Sequence, residues 1–382
     1  MKEHIAITVD EKRLALNDEK RERLARTERR EPTDRTPVVV DATFWTILPM
    51  RGVTFGEFIA SPRAHLREQI LNFKWRVENV RDDQPIETER LTIAPDFGAL
   101  RGTEFPMEIE WQADQPPKTK HLLTAPEQID DLALPDPAGG LNTKKIEFYH
   151  GMKKAVDDFD VRLNGKPIQV QVSLSQPGGP IPSAFALCGP NLFLWLKTDP
   201  ERVQRLMDLV TRSHQQCIAL FDELAEENPR HSLWLGADSA EMMSARDFRA
   251  FAAPYYNRLW EQTEPPRVFH MCGRINHLLD IIRDDLRVDR VEGFGFPTSR
   301  DLIAEKWSGR LVMRGGPHPM LIHDGPRDAI IAECESYIRT AGRRGGFILS
   351  EGFGLMPGTP PAHIDAMVEA SIRVGSWAEN KT

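Results

Sequence analysis

Residues 268–297, VFHMCGRINHLLDIIRDDLRVDRVEGFGFP, decide the fold. The stretch opens on a short apolar run, Val268–His270, and turns polar and glycine-bearing at Met271–Arg274. It passes through a helical pattern over Asn276–Asp285 and returns to an apolar run at Val291–Phe294. Two short runs that are apolar on both faces, joined by a helix-length segment, read as a right-handed βαβ unit of a buried parallel sheet.

The alternation continues in both directions. Downstream lie the strand candidates Leu311–Arg314 and Phe347–Leu349, with helical patterns over Asp301–Trp307, Asp328–Ala341 and Pro361–Trp377. Upstream lie Ser232–Leu235, Ile168–Ser173, Leu91–Ala94 and Val38–Val40. The longest helical pattern, Asp199–Glu226, carries Val203, Leu206, Leu209 and Val210 at 3,4 spacing, one apolar stripe of a helix. A second, Ser244–Glu264, opens on an N-cap serine with Asp247 in its first turn. Eight such strands fit an α/β fold of the (β/α)8 TIM-barrel type better than an open sheet. No GxGxxG or GxxxxGK[ST] follows an early strand, which argues against a dinucleotide-binding or P-loop sheet.

Residues 10–30 alternate charges of both signs, as on a solvated helix, and Pro32 and Asp34 break it. The expected organisation is an N-terminal helical extension, 1–35, followed by the barrel, 36–382. Asp82–Gly151 is looser and richer in Pro and Gly, and reads as an insertion covering one barrel mouth.

Of the 382 residues 40% are hydrophobic and 28% charged, the composition of an ordinary globular protein. With 49 Lys+Arg against 57 Asp+Glu the net charge is −8, which argues against the basic face of a nucleic-acid binder. Four scattered cysteines, Cys188, Cys217, Cys272 and Cys334, form neither a disulfide framework nor a CxxC site. No apolar leader core lies in residues 1–30 and no run has the length of a membrane helix. A cytoplasmic protein without a membrane partner is expected.

Active sites of such barrels lie at the C-terminal ends of the strands. The third strand is followed by Ser173, Ser175, Gln176 and Pro177–Pro180, the fourth by Asp238-Ser239. The fifth ends in His270-Met271-Cys272-Gly273-Arg274, the sixth carries Glu292, and Ser350-Glu351 follow the eighth. His270 and Cys272 stand two apart at a strand end, so their side chains share a face. Imidazole and thiolate suit zinc; the alternative is a buried thiol beside a hydrogen-bonded histidine. Asp238 is either a substrate-contacting acid/base group or a turn and cap residue. Glu351 is either an oxygen ligand or a salt-bridge partner, and Glu241 is a further oxygen candidate. His277, inside a helical pattern, reads as structural. Met242-Met243, Trp45, Phe55 and Phe58 read as core.

Several ordered motifs then bring a family to view: Glu31–Pro37 (EPTDRTP), Gly236-Ala237-Asp238-Ser239, Met243-Ser244, Pro254-Tyr255, His270-Met271-Cys272-Gly273, Gly345–Leu349 (GGFIL) and Pro357–Pro361 (PGTPP). Together they resemble the uroporphyrinogen decarboxylase superfamily, which includes the zinc- and cobalamin-dependent methyltransferases, and the resemblance implies a (β/α)8 barrel. The arginine-bearing N-terminal segment of the decarboxylase is missing: only Arg35 and Arg51 flank this region. A tetrapyrrole with many carboxylates needs several cationic partners.

The methyltransferase branch is marked by H-x-C and a distant Cys. His270 and Cys272 match, and Phe353 stands where the distant Cys is expected. The resemblance therefore implies zinc on His270 and Cys272 with a carboxylate, Glu351, as third ligand; Cys334 is not its replacement. It implies a methyltransferase moving a methyl group between a small-molecule donor or acceptor and a corrinoid carried on a partner protein. Asp238 and His270 would act on the substrate, and Ser239, Arg274 and Glu292 would contact it. Two alternatives stay open. One is a metal-free decarboxylase or lyase with His270 and Asp238 as acid/base groups, Arg274 on a carboxylate and Cys272 structural. The other is a non-catalytic ligand-binding barrel. A homodimer is compatible with a barrel of this size.

Overall fold

All eight apolar runs form or join strands in the computed structural model, which describes residues 2–98, 100–115, 117–175, 178–225 and 232–376. The expected positions Gln176, Pro177, Glu226 and Trp377 lie outside the described residues. In chain order the strands are β1 (Glu3–Ile7), β2 (Arg90–Ile93), β3 (Ile109–Glu110), β4 (Lys118–Thr119), β5 (Phe159–Leu163) and β6 (Lys166–Pro167). Then follow β7 (Gln169–Val172), β8 (Leu233–Gly236), β9 (Arg267–His270), β10 (Arg290–Gly295), β11 (Val312–Gly316) and β12 (Phe347–Leu349).

β8 to β12 form one parallel sheet in sequence order. The run at Val38 joins its edge through a parallel bridge to Leu349. β2 and β7 form a separate parallel pair. The two ladders meet without strand pairing. On one side the Gly236 amide donates to the Gly178 carbonyl at 2.5 Å. On the other the carboxylates of Asp83 and Asp82 accept the amides of Val38 and Val40, at 2.7 and 2.9 Å. The eight expected strands are thus present in two parallel ladders; among the described residues backbone pairing does not join them into one ring, because side chains and a loop carbonyl take the amides at the seams.

The helices alternate with β8–β12 as expected: Ala245–Phe251 and Ala253–Trp260, then Leu279–Asp284, Arg300–Lys306, Arg327–Thr340 and Pro361–Val374. The pattern over Ser244–Glu264 is two helices, not one. Ser244 caps the first, its hydroxyl accepting the Asp247 amide, and the chain kinks at Ala252 before Pro254 in the first turn of the second. Asp199 caps the long helix Pro200–Leu224. Two further long helices, Pro62–Asn79 and Leu141–Ala155, escaped the sequence reading. The first has a clear start, Ser61 as cap with Pro62 at its first position.

The N-terminal segment departs from the purely helical extension expected. Helices Glu11–Ala15 and Asn17–Glu28 are there, but β1 precedes them and pairs in parallel with β5. Ile5, Ile7 and Val9 are buried against Phe159, Val161 and Leu163. The run EHIAI is short and opens on two polar residues, and only Ile5 and Ile7 of it are buried, so its strand character shows only once β5 is beside it. Two cores result: one around β8–β12 and their helices, the other among β1, β2, β5, β7 and the helices Pro62–Asn79 and Leu141–Ala155. Phe55 and Phe58 are core residues as expected, and so is Met243, but Met242 is 60% exposed. No helix among the described residues is long and apolar enough to cross a membrane.

Candidate metal centre and substrate cavity

Strand register assembles the site. Gly236, His270, Glu292 and Arg314 are successive partners across β8, β9, β10 and β11. Residues in one register row of a parallel sheet lie side by side, so His270, Glu292 and Arg314 form one layer, and Cys272 lies two residues further along. All four line a cavity of about 970 Å³ together with Asp238, Ser239 and Glu351. Pro117, Lys118, Thr119 and His121 also line it, so the β3–β4 region of the looser segment does lie at this mouth. That segment is not all insertion, since it also holds β2 and most of the helix Leu141–Ala155.

Asp238 follows β8 and meets His270 and Cys272 directly. The Cys272 thiol donates to Asp238 Oδ1 at 3.3 Å, and His270 Nε2 lies 3.4 Å from the same oxygen. One ligand atom from each of the three lies within 4.8 Å of the others. Around a tetrahedral zinc with bonds of 2.0–2.3 Å, donors stand about 3.3–3.8 Å apart. The donor set and its spacing therefore fit zinc with little rearrangement.

Backbone geometry makes room for the cluster. β10 carries an irregularity between Glu292 and Phe294, where Gly293 adopts φ +80°. A Cβ there would collide with the His270 ring, so this bulge needs glycine. The Trp234 ring flanks the imidazole at a centroid distance of 5.3 Å and donates its Nε1–H to Glu292 at 3.1 Å. Glu292 is also paired with Arg290.

The electrostatics follow from the contacts. Burial alone would raise the Asp238 carboxyl, but the hydrogen bond and charge of His270, the Cys272 thiol and the Arg101 charge outweigh it and hold Asp238 below its ordinary value. Burial, reinforced by the Asp238 charge, pushes the Cys272 thiol up to about 12.

The other expected residues are placed as follows. Glu351 lines the cavity but stands outside the three-residue cluster. Its Oε1 accepts the Asp41 amide at 3.0 Å and its Oε2 the Ser350 hydroxyl at 3.0 Å. The carboxylate that stands with His270 and Cys272 is that of Asp238. Glu241 accepts the Arg274 amide at 2.6 Å. Arg274 itself is exposed and does not line the cavity. His277 bonds the Met243 carbonyl at 2.8 Å, a structural role. Cys334 is fully buried in its helix, and Phe353 is 61% exposed at the cavity mouth.

Four polar residues near the site escaped the sequence reading: Asp96, Arg101, Glu104 and Lys145, which line an adjoining cavity of about 680 Å³. Asp96 and Arg101 follow β2, a strand-end position that could have flagged them. Lys145 in a Lys-Lys pair gave no such signal.

Residues 99–374 match the family described as "Uroporphyrinogen decarboxylase (URO-D)". The chain belongs to the uroporphyrinogen decarboxylase family. Within this family it is similar to a methylated-thiol–coenzyme M methyltransferase of Methanosarcina mazei, 26% identical over 279 residues, 69% of this chain and 67% of that protein. It is also similar to a uroporphyrinogen decarboxylase of Xanthomonas campestris, 24% identical over 92% of this chain and 98% of the relative. A solved methyltransferase from Methanosarcina mazei shares the fold, with a TM-score of 0.64 at 19% identity over 92% of this chain and 97% of that one. These likenesses fit the methyltransferase-like branch of the URO-D family, and the relatives are enzymes.

Proposed function

We propose that this URO-D family protein is a methyltransferase that moves a methyl group between a small molecule and a corrinoid, assisted by zinc. The observation that carries the reading is the Asp238–His270–Cys272 cluster in a large cavity at the strand ends. The likeness to a methylated-thiol methyltransferase supports it. On this reading the two parallel ladders belong to one (β/α)8 barrel, the residues 1–35 act as its N-terminal extension, and the protein works in the cytoplasm as a homodimer.

His270, Cys272 and Asp238 would hold the zinc, leaving the fourth position open to substrate. Zinc bound there supplies Lewis acidity, which favours the thiolate of a thiol acceptor or polarises the oxygen of a methyl ether. The chain's own groups set the geometry. The bulge at Gly293 and the Trp234 ring fix the imidazole plane. Glu292, held by Trp234 and Arg290, presents a carboxylate in the same layer. Ser239 stands at a left-handed turn, φ 72°, directly after Asp238 and contributes its hydroxyl to the wall. The corrinoid, as substrate on a partner protein, would approach through the mouth beside Phe353.

Zinc content of purified wild type and Cys272→Ala, with methyl transfer from methylcobalamin to a thiol, tests the reading. About one zinc per wild-type chain, lost together with transfer in the variant, is the expected result. A wild type that takes up no zinc under reducing conditions would overturn it and favour a metal-free lyase with His270 and Asp238 as acid/base groups.

A further inference from the structure

The smaller cavity adjoins the metal cluster: Arg101 and Trp234 line both spaces. Two cations face it without a hydrogen-bonded ion pair among the described residues. Among the described residues the Arg101 guanidinium makes one hydrogen bond, from Nη1 to the Leu100 carbonyl at 3.0 Å, and its buried Nε has no partner. The Lys145 ammonium, on the helix Leu141–Ala155, lines the same space. The carboxylates that act on them do so through charge rather than a direct hydrogen bond: Asp238 and Asp96 on Arg101, Glu104 and Asp96 on Lys145.

The acids on the same wall are held by hydrogen bonds of their own. Glu104 accepts the Ser213 hydroxyl at 2.9 Å. Asp96 accepts the Gly98 amide at 2.8 Å, and burial raises its carboxyl toward the neutral form. Arg290, on the same wall, is spent on Glu28 and Glu292. Burial lowers Lys145 and Arg101 alike, and the nearby carboxylates, Glu104 for Lys145 and Asp238 for Arg101, offset this only in part. The chain also keeps the space open: a Cβ at Gly178 would strike the Arg101 side chain.

We propose that Arg101 and Lys145 form a subsite for an oxyanion carried by the small-molecule substrate. The acidic tail occupies the smaller cavity while the reacting end lies at Asp238, His270 and Cys272. Arg101 offers a planar fork and Lys145 a point charge, a pairing suited to a carboxylate, sulfonate or phosphoryl group. The inference rests on the methyl-transfer reading for the identity of the reacting end, but not for the anion site itself. It makes the substrate an organic acid rather than a neutral methyl donor such as an alcohol.

The test is calorimetric titration of the full chain with methanesulfonate and acetate, and separately with inorganic sulfate and phosphate. Wild type is expected to bind the organic anions. Arg101→Gln and Lys145→Met, each checked for folding by circular dichroism, are expected to weaken binding about tenfold or more, as for loss of a charge-assisted hydrogen bond. Two single variants keep the test informative when one fails to fold. His270→Ala is expected to bind the anions like wild type, so the subsite stands even when the zinc reading fails. Equal binding by wild type and both cavity variants, or no binding by wild type, overturns the proposal. Binding of inorganic anions alone assigns the cavity to a free ion and overturns it too.

Discussion

Replacing Glu351 by Gln removes a charge from a carboxyl that is 3% exposed while keeping its shape. Both hydrogen bonds survive the change: the amide oxygen still accepts the Asp41 N–H, and the amide NH2 donates to the Ser350 oxygen in place of the reverse bond. What changes is titration. Burial, with the nearby Asp41 charge, raises Glu351 from 4.5 to about 7. Below pH 4.5 both folded and unfolded chains are protonated at this site and the carboxyl costs nothing. As pH rises the unfolded chain releases its proton first, so the folded state binds more protons and stability falls. The loss is complete above the folded value. A gap of about 2.5 units at 1.36 kcal/mol each makes it about 3 kcal/mol. Urea unfolding of wild type and Glu351→Gln at pH 5, 6, 7 and 8 measures it. The variant should lie within about 1 kcal/mol of wild type at pH 5 and gain steadily on it toward pH 8. A difference that stays flat across this range would refute the reasoning. On the zinc reading the same variant should take up zinc like wild type, since Glu351 stands outside the Asp238–His270–Cys272 cluster.

Three further outcomes follow from the geometry. Gly293→Ala places a methyl against the His270 ring at φ +80°, and should lower zinc affinity about 10–100-fold, the range for a disturbed ligand orientation, with unchanged far-ultraviolet dichroism; chelator competition reads it, and wild-type affinity would refute it. Asp83 holds Arg23, Arg35 and the Val38 amide with a nearly fully buried carboxylate, so Asp83→Asn should cost about 3 kcal/mol in urea unfolding, because it strands Arg35 while Arg23 keeps its bidentate pair with Asp34; a loss below about 1 kcal/mol would mean the clasp adds little. On the zinc reading Cys334→Ala should retain zinc while Cys272→Ala loses it, because Cys272 belongs to the three-residue cluster and Cys334, buried in its helix, does not; equal zinc loss in both would sink the ligand assignment.

The legible parts were those coded by neighbours in the chain. Short apolar runs between helical patterns showed β8 to β12, strands of a parallel sheet covered by helices, and also β2 and β7, which alternate and bury only every second residue. His270 and Cys272 were visible because two-residue spacing at a strand end is itself a geometry. Their partner was harder to read. Which carboxylate meets them depends on how β8 and β9 are staggered and on the turn at Ser239, and no local pattern distinguishes Asp238 from Glu351 or Glu241. Arg101 and Lys145 lie 44 positions apart by their numbers in the sequence and meet only because β2, β7 and the helix Leu141–Ala155 pack together. β1 was missed for the same reason: its partner β5 lies about 150 residues away.

On the methyl-transfer reading, the exchange of a sulfur ligand for an oxygen one has a physical consequence. A set of two thiolates and one imidazole and a set of one thiolate, one carboxylate and one imidazole both neutralise a divalent ion, so the formal charge of the centre is unchanged. Its character is not. A carboxylate gives less electron density than a thiolate, which leaves the ion a stronger Lewis acid and more accepting of oxygen donors. Phe353, at the mouth of the same cavity, replaces a polar group by a ring that sheds water. A more acidic metal under a drier mouth suits a methyl donor that must be activated at oxygen, whereas a thiol acceptor gains less from it. Paired with cations at Arg101 and Lys145, the arrangement points to an acid-bearing methyl ether, its oxygen at the cluster and its anionic end in the adjoining cavity.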